Sequence, residues 1–248
     1  MKPSLKLVKL VRIFLFCFIL FLFPLEAKVL WQDFRLTYLY GENYRIGDPS
    51  RHVFTIEHAA NTSWGDNFFF LDHMRFKDGT RTNYAELQPR FSLSKNTNAS
   101  YQFGPVKDVL LAAHIEMSSL ATNYLYGAGV DLAVPGFRFV QANVYRRNND
   151  KAANNWQLTL VWAYPFTIGN QQFLLDGFMD WASSSVDQRA HLNLTPQLKW
   201  LASPQLGMES QLWLGIEYVF WRNKFGVADS PTLRSHENNV NLLVKWHF

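Results

Sequence analysis

The sequence predicts an all-β fold, a transmembrane barrel of twelve antiparallel strands. Three features of the 248-residue chain carry this prediction: an export-type N-terminus, short segments in which apolar and polar side chains alternate, and a final strand that ends on Phe248. Successive side chains of a strand point to opposite faces, so one face can meet lipid while the other meets water. The mean hydropathy of -0.14 is too low for a bundle of membrane helices but compatible with a barrel.

The composition excludes several other classes of protein. Hydrophobic residues make up 48% of the chain and aromatic residues 16%, which is too rich for a disordered protein. The single cysteine, Cys17, excludes a disulfide scaffold and a cysteine-ligated zinc site. The sequence has neither a His or carboxylate spacing typical of a metal site nor a phosphate-binding glycine loop. We therefore predict no metal and no cofactor.

Residues 1–27 have the pattern of a signal peptide. Four basic residues between positions 2 and 12 precede the uncharged apolar run 13–22, and Ala27 suits the cleavage site. The apolar run is about half the length that a spanning helix needs, so an N-terminal anchor is the weaker interpretation. Residues 28–248 are then a single barrel domain. Four of the 24 basic residues and one of the 20 acids fall in the leader, so this domain carries 20 bases and 19 acids. That balance argues against nucleic acid as a partner.

The last nine residues are the clearest strand. Val240, Leu242, Val244 and Trp246 share a face with Phe248, opposite polar residues such as Lys245. An exported chain that ends in this way resembles the assembly signal of bacterial outer-membrane barrels, so we expect Phe248 to contact the barrel assembly machinery. The period-two segments of the whole chain predict strands near residues 32–40, 51–60, 67–76, 82–94, 106–116, 123–132, 137–146, 155–164, 172–182, 189–201, 206–221 and 238–248.

An even number of strands places both ends of a barrel in the periplasm. Following the chain up and down then puts the segments 41–50, 147–154 and 223–237 outside the cell. The turns at 134–136 and 203–204 fall on the periplasmic side, where short connections are expected. Two connections fit this scheme poorly: 77–81 is short for an external loop, and 95–105 is long for a periplasmic turn.

The polar faces of the strands predict a narrow, wet lumen, because twelve strands fall between the roughly eight that side chains can fill and the 16 or more of an open pore. A charged side chain is costly on the lipid side, so each must line the lumen or a loop. The simplest role for any one of them is mutual neutralisation. The inward candidates are Glu57, Asp72, Glu86, Gln88, Arg90, Gln141, Asn143, Asp180, Glu217 and Lys245.

The middle of the chain carries a family resemblance. The stretch 86–95 (ELQPRFSLSK), followed by Phe103-Gly104-Pro105, is similar to the Tsx family of nucleoside-specific outer-membrane channels. Further matches in order are 64–72 (WGDNFFFLD), 127–131 (GAGVD), 143–145 (NVY), Gly177-Phe178 and Asp180-Trp181. The resemblance covers about residues 54–182 and the terminal strand, while 183–237 match weakly. It implies a monomeric twelve-stranded channel in the outer membrane that passes nucleosides down their gradient.

The chemistry of a nucleoside suggests which residues would bind it. A base stacks on aromatic rings for roughly 1–3 kcal/mol, and ribose hydroxyls donate to carboxylates. The stacking candidates are Phe69, Tyr84, Phe178 and Trp213, although packing in the girdle or the barrel wall is the simpler role for each ring. The candidate ribose acceptors are Glu57, Asp72, Glu86 and Asp180. Arg90, in the same 86–95 stretch as Glu86, is a further candidate binding residue. Conduction requires several such sites, each of which binds the solute weakly.

Two other functions remain open. An outer-membrane phospholipase can share this size and strand number, but it needs a Ser and a His on the barrel exterior. Of the seven histidines only His236 lies beside a serine, Ser235, in a predicted loop. A receptor or adhesin barrel would bind through its loops without conducting, and the external loops are candidate contacts for phage or colicin.

Overall fold

The computed structural model describes residues 28–248; the predicted signal peptide, 1–27, lies outside the described residues. The described chain forms twelve antiparallel strands joined into one closed barrel, as the alternation predicts. The strands are β1 (Val29–Gly41), β2 (Arg51–Thr62), β3 (Gly65–Phe76), β4 (Arg81–Ser92), β5 (Val106–Ser118), β6 (Thr122–Leu132), β7 (Phe139–Asn148), β8 (Asn155–Ile168), β9 (Gln171–Ala182), β10 (His191–Leu201), β11 (Gln211–Arg222) and β12 (Glu237–His247). No helix in this part of the chain is long and apolar enough to span a membrane.

The barrel closes where β1 pairs with β12. In this register Leu36 lies opposite Trp246 and Thr37 opposite Lys245. Each other strand pairs with its sequence neighbours, so the sheet has no open edge. A closed sheet satisfies every backbone donor and acceptor internally, which is the condition for crossing lipid with strands.

Alternation along each strand separates an apolar outer face from a polar lumen. On β12, Leu242 is 64% exposed on the outside, whereas Asn241 and Lys245 are buried inside. The same division holds on β2, where Phe54 and Ile56 point outward. Directly opposed residues of antiparallel strands share a face, so these assignments extend around the barrel through the register. All ten residues predicted to point inward lie on the lumen side.

Aromatic side chains form a belt at each end of the outer face. Such belts mark the two membrane interfaces of a barrel. At the extracellular end the belt contains Tyr40, Tyr124, Trp156, Trp181 and Phe220. At the periplasmic end it contains Phe34, Phe91, Tyr164, Trp200 and Trp246.

Two of the predicted strands overrun into short helical turns, and β8 runs past its predicted end at 164 to Ile168. The chain leaves β4 at Ser92 and forms a helical turn at Leu93–Thr97, where the Ser92 hydroxyl caps the Lys95 backbone N–H at 3.0 Å. This turn accounts for the long periplasmic connection. A second turn at Ser203–Leu206 precedes β11, which begins at Gln211 rather than near residue 206. A 3₁₀ turn, Lys224–Gly226, follows β11 on the extracellular side.

Candidate functional site

The lumen is filled by hydrogen-bonded polar side chains rather than left as a wide pore. Many of its charged groups are buried; Lys199 is 1% exposed and Arg90 3% exposed. Buried polar groups are stable only when they are paired. Most of the pairs fall into three groups, which we call the seam cluster, the Glu86 cluster and the Arg90 cluster; a further buried pair, Lys224–Glu237 at 2.6 Å, lies near the extracellular mouth.

The seam cluster surrounds the closure of the barrel. Lys245 Nζ lies 2.8 Å from Glu57 Oε2, which also accepts a hydrogen bond from the Thr37 hydroxyl at 2.9 Å. Gln197 donates to Glu217 at 2.7 Å and accepts from Lys199 at 3.1 Å. Two further contacts belong to this cluster: Lys199 Nζ lies 2.7 Å from Asp176, and the Asn241 amide donates to Glu217 at 2.9 Å. Glu57, a predicted ribose acceptor, is thus already neutralised by the chain itself.

The Glu86 cluster is centred on β4 and β5, and Phe70 of β3 separates Glu86 from Glu57 in the register. The Glu86 carboxylate accepts from the Tyr84 hydroxyl at 2.6 Å and from Gln88 at 2.7 Å, and it lies 2.9 Å from His114 Nε2. Asp180, on β9, lies within electrostatic range of Glu86 from across the lumen. Tyr84, Glu86 and Asp180 were all predicted site residues, and the structure brings them to one level of the lumen.

A second ion pair extends the Glu86 cluster toward the extracellular side. Arg147 donates to both oxygens of Glu116, at 2.7 and 2.6 Å, and also contacts Gln157. Gln157 in turn donates to Asp180 at 3.1 Å, and Thr159 donates to the same carboxylate oxygen at 2.5 Å. The predicted acceptor Asp180 is therefore held by neutral donors and is not directly paired with a cation.

One triad in this cluster has the geometry of a metal site. Ligand atoms of Glu86, His114 and Glu116 lie within 4.8 Å of one another. The Arg147 guanidinium already occupies both oxygens of Glu116. Within the described residues, Arg147 therefore supplies the positive charge for Glu116, and the His114 ring already faces Glu86.

The Arg90 cluster lies roughly 13 Å further along β4, toward the periplasm. Arg90 makes a two-pronged contact with Asp66, at 2.8 and 2.6 Å, and its third nitrogen lies 2.9 Å from Asp131. This fork geometry is typical of a strong, fixed arginine–carboxylate pair. Arg90 was predicted as a binding residue, but its donors are directed at two carboxylates of the chain and it lies apart from Glu86.

An aromatic row faces the lumen on β3 and β4. The ring centroids of Phe68 and Phe70 are 6.0 Å apart, and those of Phe70 and Tyr84 are 5.9 Å apart. The Arg35 guanidinium lies 5.7 Å from the Phe68 ring. In the strand register Phe70 is directly opposite Glu86, so this row borders the Glu86 cluster.

Phe69, one of the stacking candidates, does not line the lumen. Phe69 pairs with His58 and Leu87, whereas its neighbours Phe68 and Phe70 pair across from Gln88 and Glu86. Phe69 therefore points to the outer face. With three consecutive phenylalanines, both faces of the strand are apolar at this point. The sequence pattern therefore does not show which of the three side chains points into the lumen.

Three further candidate residues, Asp72, Phe178 and Trp213, also lie on the lumen side. Asp72 accepts from the Thr55 hydroxyl at 2.6 Å and lies opposite Tyr84 in the register. Phe178 faces the lumen opposite Thr195. Trp213 packs in an apolar cluster that fills the interior toward the periplasmic end, with Ala163, Leu174 and Leu201. The Trp213 ring is therefore packed against other side chains and does not offer an open stacking surface.

Tyr44 narrows the extracellular mouth. It comes from the loop between β1 and β2, is 8% exposed, and donates its hydroxyl to the lumen residue Asn241 at 2.8 Å. The Arg51 guanidinium covers its ring at 3.7 Å, and Lys224 Nζ lies 5.5 Å from the same ring. Burial and the nearby Glu217 carboxylate raise the pKa of the Tyr44 hydroxyl above its usual value, so the side chain stays neutral.

Sequence reasoning missed the cations and acids that pair with the predicted residues. His114 and Glu116 alternate with Leu111, Ala113 and Ile115, so the period-two pattern of β5 would have placed both inward. Arg147 follows the inward Tyr145 by two residues. Tyr44, in contrast, lies in a loop, where no periodicity assigns a direction.

The barrel resembles solved porin structures. It matches a KdgM porin with a TM-score of 0.52 and 12% identity, over 86% of this chain and 99% of that one. A KdgM porin solved in complex with disordered oligogalacturonate matches with a TM-score of 0.50 and 11% identity, over 87% and 99%. At this identity the likeness shows the fold.

Curated relatives add the location. Outer membrane protein OmpK of Vibrio parahaemolyticus is 25% identical over 172 residues, 64% of this chain. OmpK of V. parahaemolyticus serotype O3:K6 is 25% identical over 153 residues, 55% of this chain. The chain spans 65% and 57% of the length of these two relatives. Together with the barrel, they place this protein in the outer membrane.

The family model described as nucleoside-specific channel-forming protein, Tsx, matches residues 27–248, which is nearly the whole chain and extends the resemblance found in the middle of the sequence. The protein therefore belongs to the Tsx family of outer-membrane channel proteins.

Proposed function

We propose that this protein is a passive outer-membrane channel for nucleosides, with weak binding sites along a narrow lumen. The observation that carries the proposal is the aromatic row Phe68–Phe70–Tyr84 beside the Glu86 carboxylate. A row of rings offers a base successive stacking positions, and a neighbouring carboxylate offers an acceptor to the ribose hydroxyls. Because the rings are about 6 Å apart, a base can pass from one to the next without full release.

The same geometry explains why binding would be weak. The Glu86 carboxylate already accepts from Tyr84 and Gln88 and faces His114, so a ribose hydroxyl gains one bond by replacing another. Exchange of one hydrogen bond for another contributes little net free energy. Weak, multiple sites are what conduction requires, because a tightly held solute does not leave.

The channel proposal is tested by single-channel recording in planar bilayers. Millimolar adenosine or thymidine should reduce the conductance, while ribose and glucose should affect it much less. Replacing Phe70 by Leu should weaken the block by roughly fivefold or more, because a stacked ring contributes about 1–3 kcal/mol. Phe69→Leu is the matched control, since this ring lies next in sequence on the outer face. Equal block by nucleosides and free sugars, or equal effects of the two variants, would contradict the proposal.

The two alternatives have less support. In the described residues the polar partners of the histidine rings are groups other than serine hydroxyls. These partners are Tyr38, Gln32, Asn83, Glu86, the Arg189 carbonyl, the Asn223 backbone N–H and Asp33. A phospholipase needs a Ser–His pair, so we infer that the protein is not an enzyme of this type. A receptor barrel that does not conduct would show no current in the same recordings.

A further inference from the structure

We propose that the outer face of β1–β4, at the extracellular rim, binds the phosphorylated headgroup of a glycolipid of the outer leaflet. The central feature is a pair of arginines, Arg75 on β3 and Arg81 on β4. They are directly opposite each other in the antiparallel register and both point outward, since their neighbours Met74 and Thr82 share the lumen face with Asp72 and Tyr84. Both side chains are exposed.

Two like charges at opposed positions destabilise a strand pair. Within residues 28–248 neither arginine, nor Lys77 beside them, belongs to an ion pair. An anion held between the two guanidinium groups would remove the repulsion. Phosphate fits this role best, because arginine donates to it in a two-pronged geometry.

The acids of the same rim already accept hydrogen bonds from groups other than the two arginines. Asp48 accepts from the backbone N–H groups of Ser50, Lys77 and Asp78, at 2.9, 2.9 and 3.3 Å. Asp78 accepts from the backbone and hydroxyl of Thr80, at 2.8 and 2.6 Å. The Tyr40 hydroxyl donates to Glu42. These carboxylates fix the loops, and none of them contacts an arginine of the pair.

A cavity of about 580 Å³ lies on the Arg75 side of the pair, lined by Arg75 together with Tyr40, Glu42, His52, Phe54 and Lys77 among others. His52 lies opposite Arg75 in the register. Its Nδ1 is 2.7 Å from the Tyr38 hydroxyl, and its ring centroid is 4.8 Å from that of Tyr40. The imidazole is thus held on two sides in the wall of the cavity.

The position of the cavity along the strands indicates a lipid rather than a free phosphate. Phe54 is 51% exposed on the outer face, two residues below His52, and Ile56 continues this apolar surface toward the membrane centre. The site is therefore basic and aromatic at the rim and apolar beneath it. A headgroup phosphate would meet the arginines while the attached acyl chains follow Phe54 and Ile56. Cationic side chains at this depth cost little on a barrel surface.

The test compares two lipids on the purified full-length barrel in detergent. Diphosphorylated lipid A and the same lipid stripped of phosphate are titrated, and binding is read by native mass spectrometry. We expect the phosphorylated lipid to bind at least about tenfold more tightly, since charge-assisted hydrogen bonds are the strong ones. Equal affinity for the two lipids would overturn the proposal. Competition by inorganic phosphate as effective as that by the lipid would also overturn it, because the site would then recognise the free anion alone.

Variants locate the site. The double change Arg75→Gln, Arg81→Gln should abolish the preference for the phosphorylated lipid. The matched control is Arg146→Gln, an outward arginine at the same rim on β7 whose guanidinium lies 5.5 Å from the Trp156 ring. It should retain the preference. If the double variant does not fold, Arg81→Gln alone should reduce the preference several-fold. An undiminished preference in a folded Arg81→Gln barrel, or an equal loss in the control, would refute the assignment.

Discussion

The Lys245 ammonium lies 2.8 Å from the Glu57 carboxylate, and this pair bridges β12 and β2 across the strand that closes the barrel. Thr37, on the intervening β1, donates to the same carboxylate oxygen at 2.9 Å. The side chains of Lys245 and Glu57 are 3% and 12% exposed. The pair therefore ties together the first, second and last strands, and Glu57 has a structural role in addition to any role in binding.

Replacing Glu57 by Gln should destabilise the barrel. The change leaves the Lys245 ammonium buried without its carboxylate, and breaking a buried ion pair from one side costs about 3–5 kcal/mol. Hydrogen bonding to the new amide places the expected loss toward the lower end of this range. Urea unfolding in detergent, followed by tryptophan fluorescence, measures the free energy of unfolding.

A second variant separates the ion pair from other effects at this position. Glu57→Gln combined with Lys245→Met removes both charges and should recover most of the lost stability. Glu209→Gln, an exposed acid in the connection before β11, should leave stability unchanged. A Glu57→Gln barrel as stable as the wild type would show that water solvates the Lys245 ammonium.

Glu86→Gln should weaken the block of the channel by nucleosides. An amide accepts hydrogen bonds less strongly than a carboxylate, and each ribose bond replaces an existing one, so we expect a loss of about 1 kcal/mol of binding, or roughly fivefold in the blocking concentration. Titration of single-channel conductance with adenosine measures this change.

Glu217→Gln is the matched control for Glu86, because Glu217 is also a lumen acid with two amide donors, Gln197 and Asn241, but lies away from the aromatic row. It should change the block less than Glu86→Gln does. If a folded Glu86→Gln barrel keeps the wild-type block, then Glu86 serves only to neutralise His114.

The strand pattern predicted the fold well, for a physical reason. Each strand of a membrane barrel must separate lipid from water, so alternation is imposed at nearly every position, as on β12 from Val240 to Trp246. Predictions failed where this constraint is absent. Phe68, Phe69 and Phe70 are apolar on both faces, and residues 206–210 belong to a connection that meets no lipid.

The site was less predictable because its pairs join strands that are distant in sequence. The pattern placed Glu57 and Lys245 inward, but their contact depends on the closure of β1 against β12. The contacts of Arg90 with Asp66 and Asp131 likewise depend on the stagger of neighbouring strands. Alternation assigns a face to a side chain; the register and tilt of the sheet decide its partner.

Deleting Phe248 should lower barrel assembly without altering export. Its backbone N–H donates to the Phe34 carbonyl at 3.0 Å, and its ring lies 4.4 Å from Trp246 and 5.7 Å from Phe34, measured between centroids. The residue therefore extends the closing strand pair at the periplasmic end. Pulse-labelled cells should accumulate unfolded protein in the periplasm, detected by heat-modifiable mobility. Deletion of the exposed loop residue Val186 is the control, and normal assembly without Phe248 would contradict the prediction.

Removing the Tyr44 ring should open the extracellular mouth and raise the single-channel conductance. Tyr44→Ala deletes a buried ring that lies between Arg51, Lys224 and Asn241, whereas Tyr44→Phe keeps the ring and loses only the 2.8 Å hydrogen bond. We therefore expect a higher conductance for Tyr44→Ala and a value near wild type for Tyr44→Phe. Because burial raises the pKa of this hydroxyl, the Tyr44 contribution should not change when the pH is raised to about 10, where an exposed tyrosine is half ionised. Tyr124→Ala, which removes an outward ring at the same end, should leave the conductance unchanged. An unaltered conductance in Tyr44→Ala would mean that the narrowest point lies deeper, among the paired charges of the lumen.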